Sequence, residues 1–161
     1  MKKLYIIRHA KSSWKDEALN DFDRPLNKRG KQNAPFMGKR VKERGITPDI
    51  IVSSPAMRAK TTAKMIAKEV NYSKDILFNQ DIYESSPSRL HEILTNIDNN
   101  CGILFLVGHN PSLNMLAGYY VDFSQNIPTC GVVEIEFDCD KWADISAKNA
   151  KFISFDYPKK I

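Results

Sequence analysis

Two histidines stand directly after apolar segments, at the points where predicted β-strands end. Residues 4–7 form a continuous β-prone run that leads into Arg8 and His9, and residues 102–108 lead into His109. Runs without polar alternation are typical of strands buried on both faces of a parallel sheet. In open α/β sheets, ligands bind in the crevice beyond the carboxyl ends of the strands. The pattern therefore predicts a binding site around both histidines, although the Arg8 and His9 pair alone is equally typical of a capped strand end.

A third buried strand is predicted at residues 49–53. Ser54 is predicted to cap the helix that follows, which carries Arg58 in its first turn. Because the carboxyl ends of parallel strands lie at one edge of a sheet, we expect Arg58 to meet Arg8 and both histidines there. Basic side chains repel one another when they are protonated, so their clustering indicates a bound anion.

A phosphoryl group is the anion that this cluster fits. The planar guanidinium of arginine matches phosphate oxygens bidentately and stays charged at every relevant pH. Backbone N–H groups at the starts of the helices predicted after Ser54 and Asn110 add positive potential. Fixed donors of this kind stabilise the charge that phosphoryl transfer spreads over three oxygens. The residues therefore predict phosphoryl-transfer chemistry.

The remaining elements must position these groups. Asn27 is predicted to cap a helix over residues 28–44 that Pro35 kinks or divides, and residues 132–137 alternate like a strand with one exposed face. Three successive strand-then-helix units predict a mostly parallel sheet with helices on both faces. The fold class is therefore α/β, as a single domain over residues 1–161 with three α/β/α layers.

Composition excludes several classes of protein. The 161 residues carry a net charge of +5, but the lysines are spread without interleaved aromatic residues, so we expect solvated helix faces and no nucleic-acid partner. No run approaches the roughly 18 apolar residues of a membrane helix, and the amino-terminal segment lacks a signal-peptide pattern, so we expect no membrane partner and a cytoplasmic protein. Cys101, Cys130 and Cys139 lack the spacing of a disulfide framework or a zinc site. No nucleotide fingerprint is present, and we expect neither a metal nor a cofactor.

Four ordered motifs resemble the histidine phosphatase superfamily. They are RHA followed by Ser12, RPLNKRG at 24–30, SSPAMRAKTTA at 53–63 and GHNPSL at 108–113. Within the superfamily, the short length, the RHAKSSW start and APFMG at 34–38 resemble the SixA-like phosphohistidine phosphatases. The resemblance covers nearly the whole chain. It implies a phosphoglycerate mutase-like fold and a metal-independent phosphatase.

The resemblance also implies roles for individual residues. His9 is expected to be the nucleophile that forms a phosphohistidine intermediate, while Arg8, Arg58 and His109 hold the phosphoryl oxygens. Ser12 matches the family serine that contacts the phosphoryl group.

Two further assignments keep an alternative. Arg24 is expected either to bind the phosphoryl group or to anchor its loop by pairing with Asp21 or Asp23. Glu84 is the best-placed carboxylate for a general acid that protonates the leaving group, but it also precedes a helix start, where the dipole favours an acid.

A site in which the general acid is not clearly assigned favours phosphohistidine over a phosphate ester as substrate. An imidazole with a pKa of about 6.5 leaves readily, whereas an alkoxide needs a proton donor. We therefore expect a phosphatase of phosphohistidine on proteins. The alternatives are a phosphatase of a small phosphorylated metabolite or nucleotide, and a non-catalytic module that binds phosphohistidine. The sequence makes no prediction of oligomeric state.

Overall fold

A central sheet of six strands organises residues 1–160, the part of the chain that the computed structural model describes; the predicted domain's last residue, Ile161, lies outside that part. The strands lie in the order β3-β2-β4-β1-β5-β6. They are β1 (Lys2–Arg8), β2 (Ile50–Ser53), β3 (Leu77–Phe78), β4 (Ile103–Gly108), β5 (Val132–Phe137) and β6 (Ala150–Asp156). β1 to β4 are parallel, and β5 and β6 are antiparallel to their neighbours. The predicted mostly parallel sheet is confirmed.

Helices cover both faces of the sheet. They are α1 (Lys28–Glu43), α2 (Met57–Glu69), α3 (Pro87–Thr95) and α4 (Ser112–Tyr120). Successive residues of β1 point to opposite faces: Tyr5 and Ile7 pack with α1 and α2, whereas Leu4 and Ile6 pack with α3 and α4. The apolar run of β1 is thus buried on both sides, and the three-layer architecture is confirmed.

The first long helix, which was expected to be kinked or divided at Pro35, is not divided. α1 is continuous from Lys28 to Glu43 with Pro35 inside it, and Asn27 caps it as predicted by accepting the Gly30 N–H at 2.8 Å. Proline removes one backbone hydrogen bond. Ala34, Met37 and Val41 lie about one turn apart and are buried against the sheet and α2. This packing stabilises the helix despite the missing hydrogen bond.

The expected exposed face of the fifth strand is also wrong. The carboxylate of Glu134 is buried and lies 2.6 Å from the guanidinium of Arg44, just beyond the end of α1. Ser154 on β6 donates a further hydrogen bond to Glu134 at 3.2 Å. Glu134 is therefore a buried carboxylate that pairs with a partly exposed arginine, and this face of β5 is not open to solvent.

The segment between β1 and α1 folds back over the sheet edge. Ser12 forms an isolated antiparallel bridge with Leu26, and Asn27 donates its N–H to the Lys11 carbonyl at 2.9 Å. Residues Asp21–Asp23 form a 3-10 turn within this segment. This folding brings the long polar loop next to the carboxyl ends of β1, β2 and β4.

Candidate active site

The two histidines that follow β1 and β4 lie side by side. The strands are in register, with Arg8 opposite Gly108, so His9 and His109 leave the sheet at the same level. Their ring centroids are 5.2 Å apart and both residues are buried. Arg58, from the first turn of α2, also reaches this edge. The structure therefore brings together the groups that the strand ends predicted.

The ring of His9 is fixed by a backbone carbonyl. Nδ1 of His9 lies 2.7 Å from the carbonyl oxygen of Ala10. A carbonyl oxygen only accepts hydrogen bonds, so Nδ1 must carry the proton and Nε2 keeps its lone pair. The neutral imidazole thus has one nitrogen held and the other available as a nucleophile.

The ring of His109 is held by a serine hydroxyl. Nε2 of His109 lies 2.8 Å from Oγ of Ser54, and Nδ1 is buried without a hydrogen-bond partner among residues 1–160. Ser54 was expected to cap the helix, and this prediction is wrong: α2 begins at Met57 and has no side-chain cap. The Ser54 hydroxyl accepts the Ala56 N–H at 3.2 Å and contacts the histidine.

Both histidines are neutral at pH 7. Burial lowers the pKa of His9 to about 4, and the positive charges of Arg58 and Arg8 act in the same direction, against the hydrogen bond to Ala10. Burial also lowers the pKa of His109 to about 3, and the nearby His9 and Arg58 lower it further. Burial, reinforced by the nearby positive charges, therefore keeps both imidazoles unprotonated.

An aspartate that sequence reasoning considered only as a loop partner lies within the arginine cluster. Arg58 donates to the Asp21 carbonyl at 2.7 Å and to the Asp21 carboxylate at 2.9 Å. The Tyr83 hydroxyl donates to the same carboxylate at 2.6 Å, and its ring packs edge-on against His109 with centroids 5.6 Å apart. Burial would raise the pKa of Asp21, but the hydrogen bonds from Tyr83, Arg58 and Arg24 hold that pKa well below its usual range.

The side chain of Arg24 is largely committed to its own loop. Its Nε and Nη2 donate to Asp21 at 3.2 and 3.0 Å, and its Nη1 donates to the Ser12 hydroxyl at 2.7 Å. The indole of Trp14 stacks on the guanidinium, with the Arg24 Cζ 3.5 Å from the ring centroid. The loop-anchor interpretation therefore describes these contacts, and Ser12 lies against Arg24.

Arg8 retains an uncommitted donor. Its Nη1 donates to the Ile127 carbonyl at 2.9 Å, while its Nε is buried and has no hydrogen-bond partner within residues 1–160. Burial lowers the pKa of the guanidinium from its ordinary value. A buried, unpaired donor is costly unless a ligand satisfies it, which is consistent with an anion site.

The side chain of Glu84 is exposed. It follows Tyr83 directly and has a left-handed backbone, with a φ of 52°. Together with Tyr83 and Arg89 it lines an open cavity of about 510 Å³. The lining of this cavity includes Tyr83 but none of Arg8, His9, Arg58 and His109.

The residues that sequence reasoning missed are Ser54 as a histidine partner, Asp21 as a bridge and Tyr83. The spacing of Asp21, three residues before Arg24, was the one available signal, because an aspartate and an arginine at that distance can pair. The contact of Asp21 with Tyr83 joins residues 62 positions apart, and no local pattern reveals it.

Residues 1–160 hold no group of three or more histidine, cysteine, aspartate or glutamate side chains placed to bind a metal ion. Over the same range, no helix combines the length and apolar character that crossing a membrane requires.

Paired histidines and arginines lie together at the carboxyl edge of the parallel strands, an arrangement whose charge and donors suit an oxyanion. The model of the histidine phosphatase superfamily (branch 1) matches residues 4–94, more than half of the chain. The chain belongs to this superfamily, and we describe it as a phosphatase with a phosphoglycerate mutase-like fold.

Relatives span the chain nearly from end to end. An uncharacterized chloroplastic protein of Arabidopsis thaliana is 26% identical over an alignment of 155 positions, which covers 91% of this chain and 71% of that one. A protein of Agrobacterium tumefaciens, provisionally assigned as phosphohistidine phosphatase SixA, superposes with a TM-score of 0.82 at 24% identity over 98% of both chains. The protein histidine phosphatase SixA complexed with tungstate gives a TM-score of 0.83 at 16% identity over 97% of both chains. At these identities the two structures establish a shared fold.

Proposed function

We propose that the protein is a metal-independent phosphatase that hydrolyses phosphohistidine on other proteins, with His9 as the nucleophile. The hydrogen bond between His9 Nδ1 and the Ala10 carbonyl carries this proposal. This hydrogen bond leaves a lone pair on Nε2. The nearby arginines carry positive charge that attracts an incoming phosphoryl anion. Likeness of fold to SixA proteins supports the same substrate class.

The first step transfers the phosphoryl group to the enzyme. Nε2 of His9 attacks phosphorus, and the bond from phosphorus to the substrate imidazole breaks. A substrate ring protonated by solvent on its other nitrogen departs as neutral imidazole, which takes up a further proton only below a pKa of about 6.5. Arg8, Arg58 and His109 stabilise the oxygens, so the reaction needs no metal charge.

The second step releases phosphate. Water attacks the phosphorus of phospho-His9, the bond to Nε2 breaks, and the water proton passes to solvent or to the phosphate. The neutral His9 is regenerated with its proton still on Nδ1, where the Ala10 carbonyl holds it. Because the imidazole is a good leaving group in both steps, the exposed Glu84 is not required to be a strong acid.

A trapping experiment tests the nucleophile. The protein is mixed with a radiolabelled phosphohistidine protein and quenched in alkali, in which phosphohistidine survives, and the label is mapped. We expect label on His9 in the wild type, none in His9→Asn, and full labelling in the matched control His91→Asn. Wild type that binds the phosphoprotein without labelling or turnover would instead be a reader of phosphohistidine.

A substrate panel tests the class of leaving group. Turnover of a phosphohistidine protein, free phosphohistidine and a set of small phosphomonoesters is compared in the presence and absence of a chelator. We expect the phosphohistidine protein to give the highest kcat/KM and the chelator to have no effect. Equal or better turnover of a small ester would reassign the protein as a small-molecule phosphatase.

A further inference from the structure

The carboxylate of Asp21 is the meeting point of three side chains of the site. Oδ1 accepts hydrogen bonds from Arg24 Nε and Nη2 at 3.2 and 3.0 Å. Oδ2 accepts from Arg58 Nη2 at 2.9 Å and from the Tyr83 hydroxyl at 2.6 Å. The two guanidiniums are buried, with 9% and 8% of their side chains exposed, whereas 46% of the Asp21 side chain is exposed. A single anion thus closes the outer side of a buried pair of cations.

These contacts fix the orientation of Arg58. Both of its terminal nitrogens are engaged, one by the Asp21 carbonyl and the other by the Asp21 carboxylate. Five N–H donors belong to a guanidinium, so Nε–H and one proton on each terminal nitrogen stay available for a ligand. Tyr83 is fixed by the same carboxylate and packs against His109. Asp21 therefore connects the arginine wall of the site to the histidine wall.

The carboxylate also sets the charge of the site. Arg8, Arg24 and Arg58 carry three positive charges, and Asp21 carries one negative charge, which leaves two. A bound phosphoryl group approaches two negative charges above its second pKa of about 6. The site with Asp21 in place therefore matches the charge of its ligand, whereas the three arginines alone would exceed it.

We propose that Asp21 is a positioning residue that orients Arg58 for the transition state and, by cancelling one positive charge, allows product phosphate to leave. This inference deepens the proposed function and rests on it for the identity of the reaction. Two consequences distinguish it from a structural role. When the negative charge of Asp21 is removed, phosphate binds more tightly, because the attraction between the buried arginines and the phosphate is poorly screened. Turnover nevertheless falls, because Arg58 is no longer held and release is slower.

The test compares Asp21→Asn with Asp23→Asn. Asparagine keeps the size of the side chain and one acceptor oxygen, so the fold should tolerate it. Asp23 lies in the same 3-10 turn and is exposed, and its side chain makes no ion pair within residues 1–160. For each variant we measure kcat with p-nitrophenyl phosphate, the inhibition constants of inorganic phosphate and tungstate, and the Tm.

In Asp21→Asn we expect kcat to fall by about tenfold or more and both inhibition constants to fall by about tenfold. We expect Asp23→Asn to match the wild type, and Asp21→Glu, which restores the charge, to return the inhibition constants toward it. A lower Tm and kcat with unchanged or weaker phosphate binding would overturn the proposal. Because these readouts do not use phosphohistidine, a wild type that fails to hydrolyse phosphohistidine protein would sink the proposed substrate and leave the Asp21 result interpretable.

Discussion

Nε2 of His109 lies 2.8 Å from the hydroxyl of Ser54, so a side chain from the end of β2 orients a ring at the end of β4. Because the hydroxyl already accepts the Ala56 N–H, its own proton is free for Nε2. When Ser54 donates that proton to Nε2, the remaining proton of a neutral His109 lies on Nδ1, the buried nitrogen that has no partner within residues 1–160. In this tautomer His109 is ready to donate a hydrogen bond to a phosphoryl oxygen.

Ser54→Ala is expected to lower kcat by about 10- to 100-fold, because misplacing an oriented group costs up to about 10²-fold. Loss of the buried hydrogen bond should lower the free energy of unfolding by about 1–3 kcal/mol. Steady-state kinetics and urea unfolding measure the two effects. Ser112→Ala is the matched control, since that hydroxyl donates only to the His109 carbonyl at 3.0 Å and does not contact the ring. Equal kcat in both variants would show that Ser54 does not orient His109.

The pH dependence of kcat/KM should report the lowered pKa of His9. The nucleophile must be neutral, so protonation removes activity as the pH falls through about 4, the pKa that burial and the neighbouring arginines give it. Activity toward p-nitrophenyl phosphate is measured from pH 3 to 9 and corrected for the second ionisation of the substrate's phosphate, near pH 6. An acid limb that remains near 6.5, the ordinary histidine pKa, would contradict this expectation.

The same pKa values predict a loss of stability in acid. The folded-state pKa values of His9 and His109 are about 4 and 3, below the unfolded value, so the unfolded chain takes up protons first. Their contribution is fully present above about pH 6.5 and is lost progressively as the pH falls toward 4. Urea unfolding should show a smaller decrease between pH 7 and 4.5 for His109→Gln than for the wild type. Parallel curves for the two proteins would rule out this source of acid sensitivity.

Glu84→Gln tests whether Glu84 acts as a general acid. Glu84 is exposed, and phosphohistidine has a leaving group that needs little protonation, so we expect less than tenfold loss of kcat on a phosphohistidine protein. Glu92→Gln, at an exposed position on α3, is the control for a lost surface charge. A loss of 100-fold or more on the imidazole leaving group would assign Glu84 as the general acid.

The sheet and the meeting of the histidines could be predicted because they depend on local patterns. A strand buried on both faces, such as β1, is a continuous apolar run, and parallel strands place their carboxyl ends at one edge. His9 and His109 follow such strands directly, and Arg58 lies in the next helix. Knowing where each strand ends was therefore enough to bring these residues together.

The contacts that complete the site could not be predicted, because they join distant segments. Asp21 meets Arg58 across 37 positions, and Ser54 meets His109 across 55. A serine before a helix is also typical of an N-cap, so the local pattern favoured the wrong partner. Similarly, the alternation of β5 is typical of a strand with one exposed face. No local pattern shows that Arg44, just beyond the end of α1, pairs with Glu134.

Gly30 is expected to be irreplaceable for packing. A Cβ at this position would lie 2.2 Å from the Lys11 carbonyl oxygen and 3.0 Å from the Lys11 nitrogen, both backbone atoms that cannot rotate away. Gly30→Ala should therefore destabilise the fold by about 3 kcal/mol or more, despite the higher helix propensity of alanine. Thermal and urea unfolding measure the change.

Gly102→Ala is the matched glycine control, because the nearest atom to its Cβ, an Asp49 carboxylate oxygen, lies at an ordinary 3.5 Å. We expect a change below about 1 kcal/mol there, as for other substitutions without a clash. Similar unfolding curves for the two variants would show that α1 can move away from Lys11 without cost.

Arg8→Lys separates the charge of Arg8 from its geometry. Lysine keeps the positive charge but lacks the Nε–H donor, which in Arg8 is buried and has no partner within residues 1–160. If this donor binds a phosphoryl oxygen in the transition state, its loss should cost about 2.7–4 kcal/mol, or about 10²- to 10³-fold in kcat. Single-turnover phosphorylation of His9 measures the effect on the chemical step.

Arg40→Lys is the control for replacing a partly buried arginine. Arg40 pairs with Asp156 at 2.8 Å and lies over the ring of Phe36, on the outer side of α1. We expect this variant to lose some stability and to keep its rate of phosphorylation, because the partners of its guanidinium do not include Arg8, His9, Arg58 or His109. If Arg8→Lys retained the wild-type rate, positive charge alone would account for the contribution of Arg8, and its unpaired Nε would have no part in binding the oxyanion.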